Sequence, residues 1–300
     1  MLLHFQEKVH SIYSGTLRDS LKITTMECFL PNASCLAVGS TRLAQIEIDS
    51  MRFGVDMHYN LYKQSCRRFN DQLQNTVSLL RYFGASSFIS TALFHGTTDV
   101  VLANRDGMFI LGSGEHIMMD EYDRFKRSMQ LHADGIICEP NSGLVPVTYS
   151  ADCVTGAIAA PNGAYGVFHS MAKKLVSDDN IIAKMVGHFE KLYGIKPEEL
   201  QLAIFPSADV EVYEVDEDFA ALFEEKFIDR NFPGKPHIDL EIIAIRRARD
   251  AGIAQVTTTN RTTAWIGLES LRGAEKSRME DLNVGNANGQ NIMFVVPPKT

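Results

Sequence analysis

The feature that most constrains the fold of this chain is a short turn between two apolar segments near its middle. Val154–Ala160 and Ala164–Phe168 consist largely of apolar residues typical of strands, and Pro161-Asn162-Gly163 separates them. Two such segments joined by a three-residue turn that contains glycine predict a β-hairpin. The length of the turn also sets the register in which the two strands pair.

The register of this hairpin brings a thiol and an imidazole together. With the turn as the loop, Ala160 faces Ala164, and counting back along the ladder places Thr155 opposite His169. Cys153 lies two residues before Thr155 and therefore points to the same face of the sheet. It is then a diagonal neighbour of His169, roughly 7–8 Å away between backbones. The spacing alone predicts a candidate site at the open end of the hairpin.

The composition is that of an ordinary globular protein. Of the 300 residues, 45% are hydrophobic and 22% are charged, and the net charge is -8. Because no basic stripe is present to neutralise phosphates, we expect no binding to nucleic acid. No apolar run approaches the length of about 18 residues that a transmembrane helix needs. The first ten residues also lack the apolar core and the cleavage site of a secretory signal.

The cysteines favour a reducing compartment. There are five of them, they are scattered, and no two form a CxxC pair: Cys28, Cys35, Cys66, Cys138 and Cys153. A small and odd number of cysteines argues against a disulfide framework, and the absence of a CxxC pair argues against a zinc ribbon. We therefore expect free thiols and a cytoplasmic protein.

Hydrophobic periodicity along the chain predicts an α+β protein in which helices and strands are mixed. The predicted helices are Arg67–Phe83, Glu115–Leu131, Ala172–Tyr193, Glu217–Ile228 and Asp239–Ala251. The predicted strands outside the hairpin are Leu21–Ile23, Cys35–Val38, Ser87–Phe94, Asp99–Leu102, Asp134–Cys138, Leu144–Tyr149, Leu200–Phe205 and Ile292–Val296. No repeat and no low-complexity linker divides the chain, so we expect one domain over residues 36–300, preceded by an N-terminal extension over residues 1–35.

Three residues at predicted strand ends form a set that can carry chemistry. His95, Cys153 and His169 provide one soft thiolate and two imidazoles. This is a suitable ligand set for zinc, and three protein ligands leave a fourth position for water, which the metal would acidify. The same thiol and imidazole also fit a cysteine nucleophile with a histidine base. The sequence leaves both alternatives open.

Further polar residues near these positions are candidates for supporting roles. His132 lies just before a predicted strand, and Asp152 is adjacent to Cys153, so both are candidates for proton transfer. Arg42 and Arg105 are candidate anion contacts. The glycine-rich stretches Gly112-Ser113-Gly114 and Gly285–Gly289 lack the strand–loop–helix spacing of a nucleotide-binding loop, and we expect turns there.

Several short motifs follow each other in a fixed order between Val38 and Val296. They are Gly39-Ser40-Thr41-Arg42, a helix with Asn75, His95-Gly96 with Asp99-Val100-Val101, Ala133-Asp134-Gly135, Ser150-Ala151-Asp152-Cys153, Val167-Phe168-His169 and Tyr213-Glu214-Val215. In this order they resemble the laccase-domain family. Its members were first labelled polyphenol oxidoreductases and are better described as zinc-dependent purine nucleoside phosphorylases.

The resemblance implies a fold, an activity and a set of site residues. The fold is one of packed mixed sheets with outer helices, and the metal ligands are His95, Cys153 and His169. The activity is phosphorolysis of the N-glycosidic bond of purine nucleosides, with adenosine deamination as a second activity. The partners are then a small nucleoside and phosphate, and Arg42 and Asn75 are substrate-binding candidates.

The chain departs from the family pattern around its second predicted histidine ligand. Where the family has His-Ala-Gly-Trp-Arg-Gly, this chain has His169-Ser170-Met171-Ala172-Lys173-Lys174. The arginine is absent, so Lys173 becomes the candidate cation, although lysine lacks the bidentate fork of arginine. The family's late Phe-Ser-Tyr-Arg-Arg run is reduced to the region of residues 268–273, which retains Arg272, and His132 stands where the family often has arginine.

Three functions therefore remain open at this point. The first is a zinc enzyme that acts on purine nucleosides. The second is a degenerate member that binds zinc or a nucleoside without turnover, and the third is a zinc-free thiol hydrolase that uses Cys153 and His169. Copper oxidase chemistry ranks below these. A multicopper enzyme needs more histidine ligands than the nine histidines of this chain can plausibly arrange.

Overall fold

The computed structural model describes residues 5–13, 20–30, 33–38, 80, 84–85, 87–91, 97–118, 131–259, 262–264, 272 and 291–297, with the backbone alone in the first three ranges. Several predicted features lie outside these residues, namely the helix Arg67–Phe83 apart from Leu80, and the candidates Arg42, Asn75 and His95.

The described strands form two large sheets and one small one. The first sheet has six strands in the order β1-β2-β3-β16-β9-β4. Its strands are β1 (Phe5–Tyr13), β2 (Ser20–Leu30), β3 (Ala33–Val38), β4 (Phe88–Ser90), β9 (Val145–Ser150) and β16 (Asn291–Val296). All neighbours are antiparallel except β4 and β9, which run parallel.

The second sheet contains the predicted hairpin at its centre. It has eight strands in the order β15-β12-β10-β11-β8-β5-β6-β7. They are β5 (Val100–Ala103), β6 (Gly107–Leu111), β7 (His116–Met118), β8 (Gly135–Cys138), β10 (Val154–Ala159), β11 (Tyr165–Ser170), β12 (Gln201–Ile204) and β15 (Gln255–Thr258). The small third sheet pairs β13 (Ile228–Asp229) with β14 (His237–Ile238).

Helices cover one face of the eight-stranded sheet. They are α1 (Ala172–Leu175), α2 (Ile181–Tyr193), α3 (Glu217–Ala220) and α4 (Leu240–Asp250), with 3₁₀ turns at Pro197–Glu199 and Glu225–Phe227. Within the described residues, none of these helices has both the length and the apolar character to cross a membrane. The arrangement of mixed sheets with helices outside confirms the predicted α+β class.

Alternation along the hairpin explains why the chain forms layers. Val154, Ile158 and Phe168 belong to the core between the sheet and its helices. Ala157 and Val167 belong to a second core, which lies between the two large sheets. Because successive strand residues point to opposite faces, a strand that is apolar throughout must be covered on both sides.

Several predicted elements are confirmed with small shifts of their ends. Strands occur at the predicted positions, including the last one, and helix α4 starts after Asp239 as expected. The Asp239 side chain accepts a hydrogen bond from the backbone N–H of Ile242, so it caps the helix. Gly112-Ser113 forms a turn between β6 and β7, as expected for that glycine-rich stretch.

Three predicted helices are wrong in part. The segment predicted as Glu115–Leu131 begins as β7, because residues 116–118 pair with residues 107–109 of β6. The segment predicted as Ala172–Tyr193 is two helices, because residues 177–180 form a turn in which Asn180 caps α2. The segment predicted as Glu217–Ile228 holds only the four-residue helix α3 and then a 3₁₀ turn.

The first 38 residues contribute strands to the six-stranded sheet. β1 pairs with β2, β2 with β3, and β3 with β16 from the end of the chain. The expected division into an extension over residues 1–35 and a domain over residues 36–300 stays a prediction, and its boundary falls inside β3.

Candidate functional site

The hairpin has the predicted register. Thr155 pairs with His169, and the backbone N–H of Ala160 donates to the carbonyl of Ala164 at 2.9 Å. Gly163 closes the turn with a positive φ of 88°, a conformation that glycine adopts without steric cost. His169 therefore lies near the end of β11, on the face that points toward the six-stranded sheet, as do Val167 and Tyr165.

The His169 side chain is buried beside a carboxylate from the neighbouring strand. Only 1% of His169 is exposed, and its Nδ1 lies 3.4 Å from Oδ1 of Asp134, which is itself 4% exposed. The backbone holds the same pair together, since the N–H of His169 donates to the carbonyl of Asp134 at 2.8 Å. Thr97 donates from its hydroxyl to the other oxygen, Oδ2, of Asp134 at 3.3 Å. The carboxylate thereby orients the imidazole ring.

Cys153 is the second group that acts on the imidazole. It belongs to the bend between β9 and β10, where the hydroxyl of Ser150 donates to its carbonyl at 2.7 Å. The residue is partly exposed, and its thiol lies near enough to His169 to raise the pKa of that imidazole. The register on which the predicted proximity of Cys153 and His169 depends is confirmed, since Thr155 pairs with His169.

The surroundings of His169 favour its charged form. Burial lowers the pKa of this imidazole, but the nearby Asp134 carboxylate and Cys153 thiol outweigh burial and raise the pKa to about 10. The arrangement is thus a buried imidazole with a carboxylate and a thiol nearby. It is also the arrangement found around histidines that bind metals, in which a carboxylate orients the ring.

Asp152 connects this bend to later parts of the chain. Its Oδ1 accepts a hydrogen bond from the hydroxyl of Thr263 at 2.6 Å, and its Oδ2 accepts one from the backbone N–H of Arg272 at 2.9 Å. Its carbonyl accepts from the N–H of Ala208 at 2.9 Å. Because β10 begins only at Val154, both Asp152 and Cys153 lie before the strand, and the strand alternation used to predict the direction of Cys153 does not apply to it. The contacts of Asp152 position its side chain; its predicted part in proton transfer stays a prediction.

Tyr213 and Arg272 complete the surroundings of Cys153. The guanidinium of Arg272 lies over the ring of Tyr213, 5.2 Å from its centroid, and is hydrogen-bonded to the Tyr213 side chain. Burial and the nearby Cys153 raise the pKa of Tyr213 to about 12, although Arg272 opposes this shift. The phenol therefore lies near enough to Cys153 for the thiol to affect its pKa.

The other predicted site residues either have no contact with Cys153 or His169 given by the structure or lie outside the described residues. His132 is exposed before β8, and Lys173 is exposed on α1, four residues after His169. Arg105 donates to the carbonyls of Asn141 and Ser142, away from this site. Among the residues that the structure describes, no group of three or more His, Cys, Asp and Glu side chains is arranged to hold a metal ion. His95, the third predicted ligand, is outside those residues.

Asp134 and Tyr213 belong to two of the sequence motifs, but the sequence analysis predicts no role for either residue. The signal for Asp134 is its position directly before β8, which pairs with β11. Recognising that pairing would have placed Asp134 beside His169. No comparable local signal exists for Tyr213, because its contact with Arg272 joins residues far apart in the chain.

Solved structures with the same fold support this description. YlmD from Geobacillus stearothermophilus has a TM-score of 0.67 at 15% identity, with 98% of this chain and 99% of that chain covered. NMB0706 from Neisseria meningitidis has a TM-score of 0.61 at 13% identity over 92% and 99% of the two chains. The hypothetical protein YfiH from Bacillus licheniformis has a TM-score of 0.58 at 14% identity over 90% and 97%. These proteins define the class of α+β fold to which the chain is similar.

The sequence identifies the family more directly. Residues 70–266 match the family described as multi-copper polyphenol oxidoreductase laccase. The match spans about two thirds of the chain, and the protein belongs to this family. A search among curated proteins gives no match. The family description names a metal-dependent oxidoreductase. The matched residues include the hairpin with Cys153 and His169.

Proposed function

We propose that this protein is a zinc-dependent enzyme that acts on purine nucleosides, by phosphorolysis of the N-glycosidic bond, by adenosine deamination, or by both. The row formed by Asp134, His169 and Cys153 carries the proposal. The carboxylate faces Nδ1 of the imidazole, so Nε2 is the nitrogen left for a ligand, as in carboxylate–histidine–metal arrangements.

The donor set fits zinc better than a hard cation. A thiolate and imidazoles are ligands that zinc prefers, and His95 would provide the second imidazole. Thr97, two residues after His95 in the sequence, donates to Asp134, which supports assigning His95 to this site. Zinc held by these residues would supply a Lewis acid for an oxygen of water or substrate.

The chain's own residues would bind and orient the substrate. Asp134 holds the ring of His169 in one orientation, while Asp152 fixes the segments that surround Cys153. His132 would assist proton transfer, and Arg42, Asn75 and Lys173 would contact the substrate. The buried position of His169 limits the access of bulk water to the ligands.

The test is metal analysis of purified variants. We expect about one zinc per chain in the wild type, loss of zinc in Cys153→Ser, and retention in Cys138→Ala, which changes the buried cysteine of β8. A nucleoside screen with and without phosphate would then identify the acceptor. Absence of zinc from the wild type, even after incubation with zinc, would contradict the proposal.

A second function is favoured by one observation, the position of Cys153 directly before β10, which pairs with the strand of His169. This pair also fits a thiol hydrolase, in which the imidazole activates the thiol. Alkylation of metal-free protein at Cys153 would then abolish activity. Sensitivity to chelators without a covalent intermediate would instead support the zinc enzyme.

A further inference from the structure

Two cysteines that the proposed function does not use lie on neighbouring strands of the six-stranded sheet. Cys28 belongs to β2 and Cys35 belongs to β3. The antiparallel register of these two strands pairs Cys28 directly with Cys35. Only six residues separate the two cysteines along the chain, and two of these six connect the end of β2 to the start of β3. A local hairpin therefore brings two cysteines to opposed positions.

The backbone positions of Cys28 and Cys35 meet the requirement of a disulfide. Directly opposed residues of an antiparallel pair have Cα atoms about 4.5 or 5.5 Å apart, depending on whether the pair exchanges backbone hydrogen bonds. A disulfide accepts Cα separations of about 4.4–6.8 Å. Both kinds of pair fall within this range, so the observed register allows the bond without a shift of either strand.

The cysteine pair lies where the N-terminal hairpin joins the rest of the sheet. On its other side β3 pairs with β16, and Cys35 is in register with Val295. Val295 is buried in the core between the two large sheets. Because residues paired across neighbouring strands share one face of a sheet, Cys28, Cys35 and Val295 form one row on that face. A bond between the cysteines would fasten β2 to the strand through which the hairpin joins the sheet.

We propose that Cys28 and Cys35 form a reversible dithiol–disulfide couple, a site of oxidative modification in the six-stranded sheet. The oxidant is a low-molecular-weight disulfide of the glutathione class. One protein thiolate attacks the S–S bond of the oxidant and releases one small thiol, and the second protein thiolate then attacks the mixed disulfide and releases the other. The protein loses two electrons and two protons, and the oxidant takes up both as it is reduced to two thiols.

This couple is compatible with the reducing compartment that the cysteine content favours. There the dithiol is the resting form, and the disulfide forms when the thiol pool becomes oxidised. One reversible pair also differs from a disulfide framework, in which several bonds replace a hydrophobic core. The couple uses neither Cys153 nor His169, so it stands or fails independently of the proposed function.

The experiment measures the redox equilibrium of the couple in the folded, full-length protein. The protein is equilibrated with mixtures of reduced and oxidised glutathione, quenched with acid, unfolded, alkylated and digested with trypsin. Residues 23–42 contain both cysteines and no Lys or Arg before Arg42, so trypsin releases them as one peptide. Mass spectrometry should find this peptide with an internal disulfide, two hydrogen masses below the dithiol form. Dithiothreitol should restore the form that takes two alkyl groups.

The folded structure should favour the disulfide. Because the strands hold the cysteines at opposed positions, the equilibrium constant for forming the bond should be at least tenfold larger in the folded protein than in urea-unfolded protein. By linkage, the oxidised protein should melt about 5 °C above the reduced protein. An equal or smaller constant in the folded protein overturns the proposal. A disulfide from either residue to Cys66, which would join two tryptic peptides, overturns it as well.

Single variants separate this couple from the other thiols. Cys28→Ser and Cys35→Ser should each lose the internal disulfide and the difference in melting temperature between oxidised and reduced protein. Cys138→Ala, which changes the buried cysteine of β8, is the matched control and should keep both. A melting difference that persists in Cys35→Ser, or that disappears in Cys138→Ala, would contradict the assignment. If a variant does not fold, the peptide measurement on the wild type decides by itself.

Discussion

At the scale of single residues, the decisive contacts are those of carboxylates with partners from distant parts of the chain. Asp134 orients His169, and Asp152 ties the bend at Cys153 to Thr263 and Arg272. Each carboxylate is nearly buried, so its partners matter more than they would on the surface. The site is therefore sensitive to substitutions that leave its named ligands unchanged.

Asp134→Asn should weaken zinc binding at the proposed site by about 10- to 100-fold, because a carboxylate that orients a histidine ligand contributes to metal affinity. The loss is measured by competition with a chelator of known affinity. Asp179→Asn, an exposed carboxylate that interacts with Lys184 and Thr98, is the control and should leave affinity unchanged. Equal affinities for wild type and Asp134→Asn would contradict this role of Asp134.

Glu241 should make stability depend on pH. Burial raises its pKa to about 7; a hydrogen bond from Thr258 opposes the shift, and the charges of Asp239 and Asp209 add to it. Between about pH 4.5 and 7 the folded chain binds a proton that the unfolded chain has lost, so the contribution to stability is full below 4.5 and falls as pH rises. The slope is at most about 1.4 kcal/mol per pH unit, because one proton is involved.

Chemical denaturation at several pH values checks this dependence by comparing the wild type with Glu241→Gln. The variant should show a smaller decline in unfolding free energy across this range, since its side chain does not titrate. Identical slopes for the two proteins would contradict the raised pKa of Glu241.

At the scale of elements, the central hairpin owes its tight packing to glycine. A Cβ on Gly166 of β11 would meet the carbonyl oxygen of Ile136 in the neighbouring strand and lie 2.9 Å from the Met185 side chain of α2. The strand therefore approaches β8 and α2 more closely than alanine permits. Gly187, which is exposed on α2, has no such neighbour within 4 Å.

Gly166→Ala should destabilise the protein by about 1–3 kcal/mol through overpacking. Gly187→Ala is the matched control and should stabilise it by about 0.5–1 kcal/mol, because alanine is the better residue inside a helix. Denaturant melts of the two variants give opposite shifts of the midpoint. A neutral Gly166→Ala would mean that β8 or α2 moves away at little cost.

At the scale of the whole molecule, the two large sheets are joined by polar contacts as well as by their shared apolar core. The Tyr165 hydroxyl of β11 donates to the carbonyl of Leu144, just before β9, at 2.5 Å. The hydroxyl of Thr91, just after β4, donates to the carbonyl of Ala133, just before β8, at 2.6 Å. These bonds satisfy carbonyl groups at the buried boundary between the sheets.

Tyr165→Phe should lower the free energy of unfolding by about 1–3 kcal/mol, since it leaves a buried carbonyl without this donor. Tyr193→Phe offers a matched control: the buried hydroxyl of Tyr193 has no hydrogen-bond partner among the described residues, so its removal should be neutral or mildly stabilising. Thermal unfolding measures both. Equal effects of the two substitutions would argue against the bond between the sheets.

Local features of the structure could be predicted from the sequence. The turn at residues 161–163 and the apolar strands around it led to the register of the hairpin and hence to the proximity of Cys153 and His169. The cap at Asp239 was recognisable for the same reason. These features depend on residues within a few positions of each other, where turn length and side-chain chemistry determine the geometry.

Only the tertiary structure decided which distant groups complete the site. Asp134 reaches His169 because β8 pairs with β11, and Thr263 and Arg272 reach Asp152 from more than a hundred residues away. The break before Asn180 and the strand at residues 116–118 likewise follow from capping and from pairing with β6. Neither spacing nor periodicity encodes such contacts locally, because strand order and the burial of each carboxylate depend on how the whole chain packs.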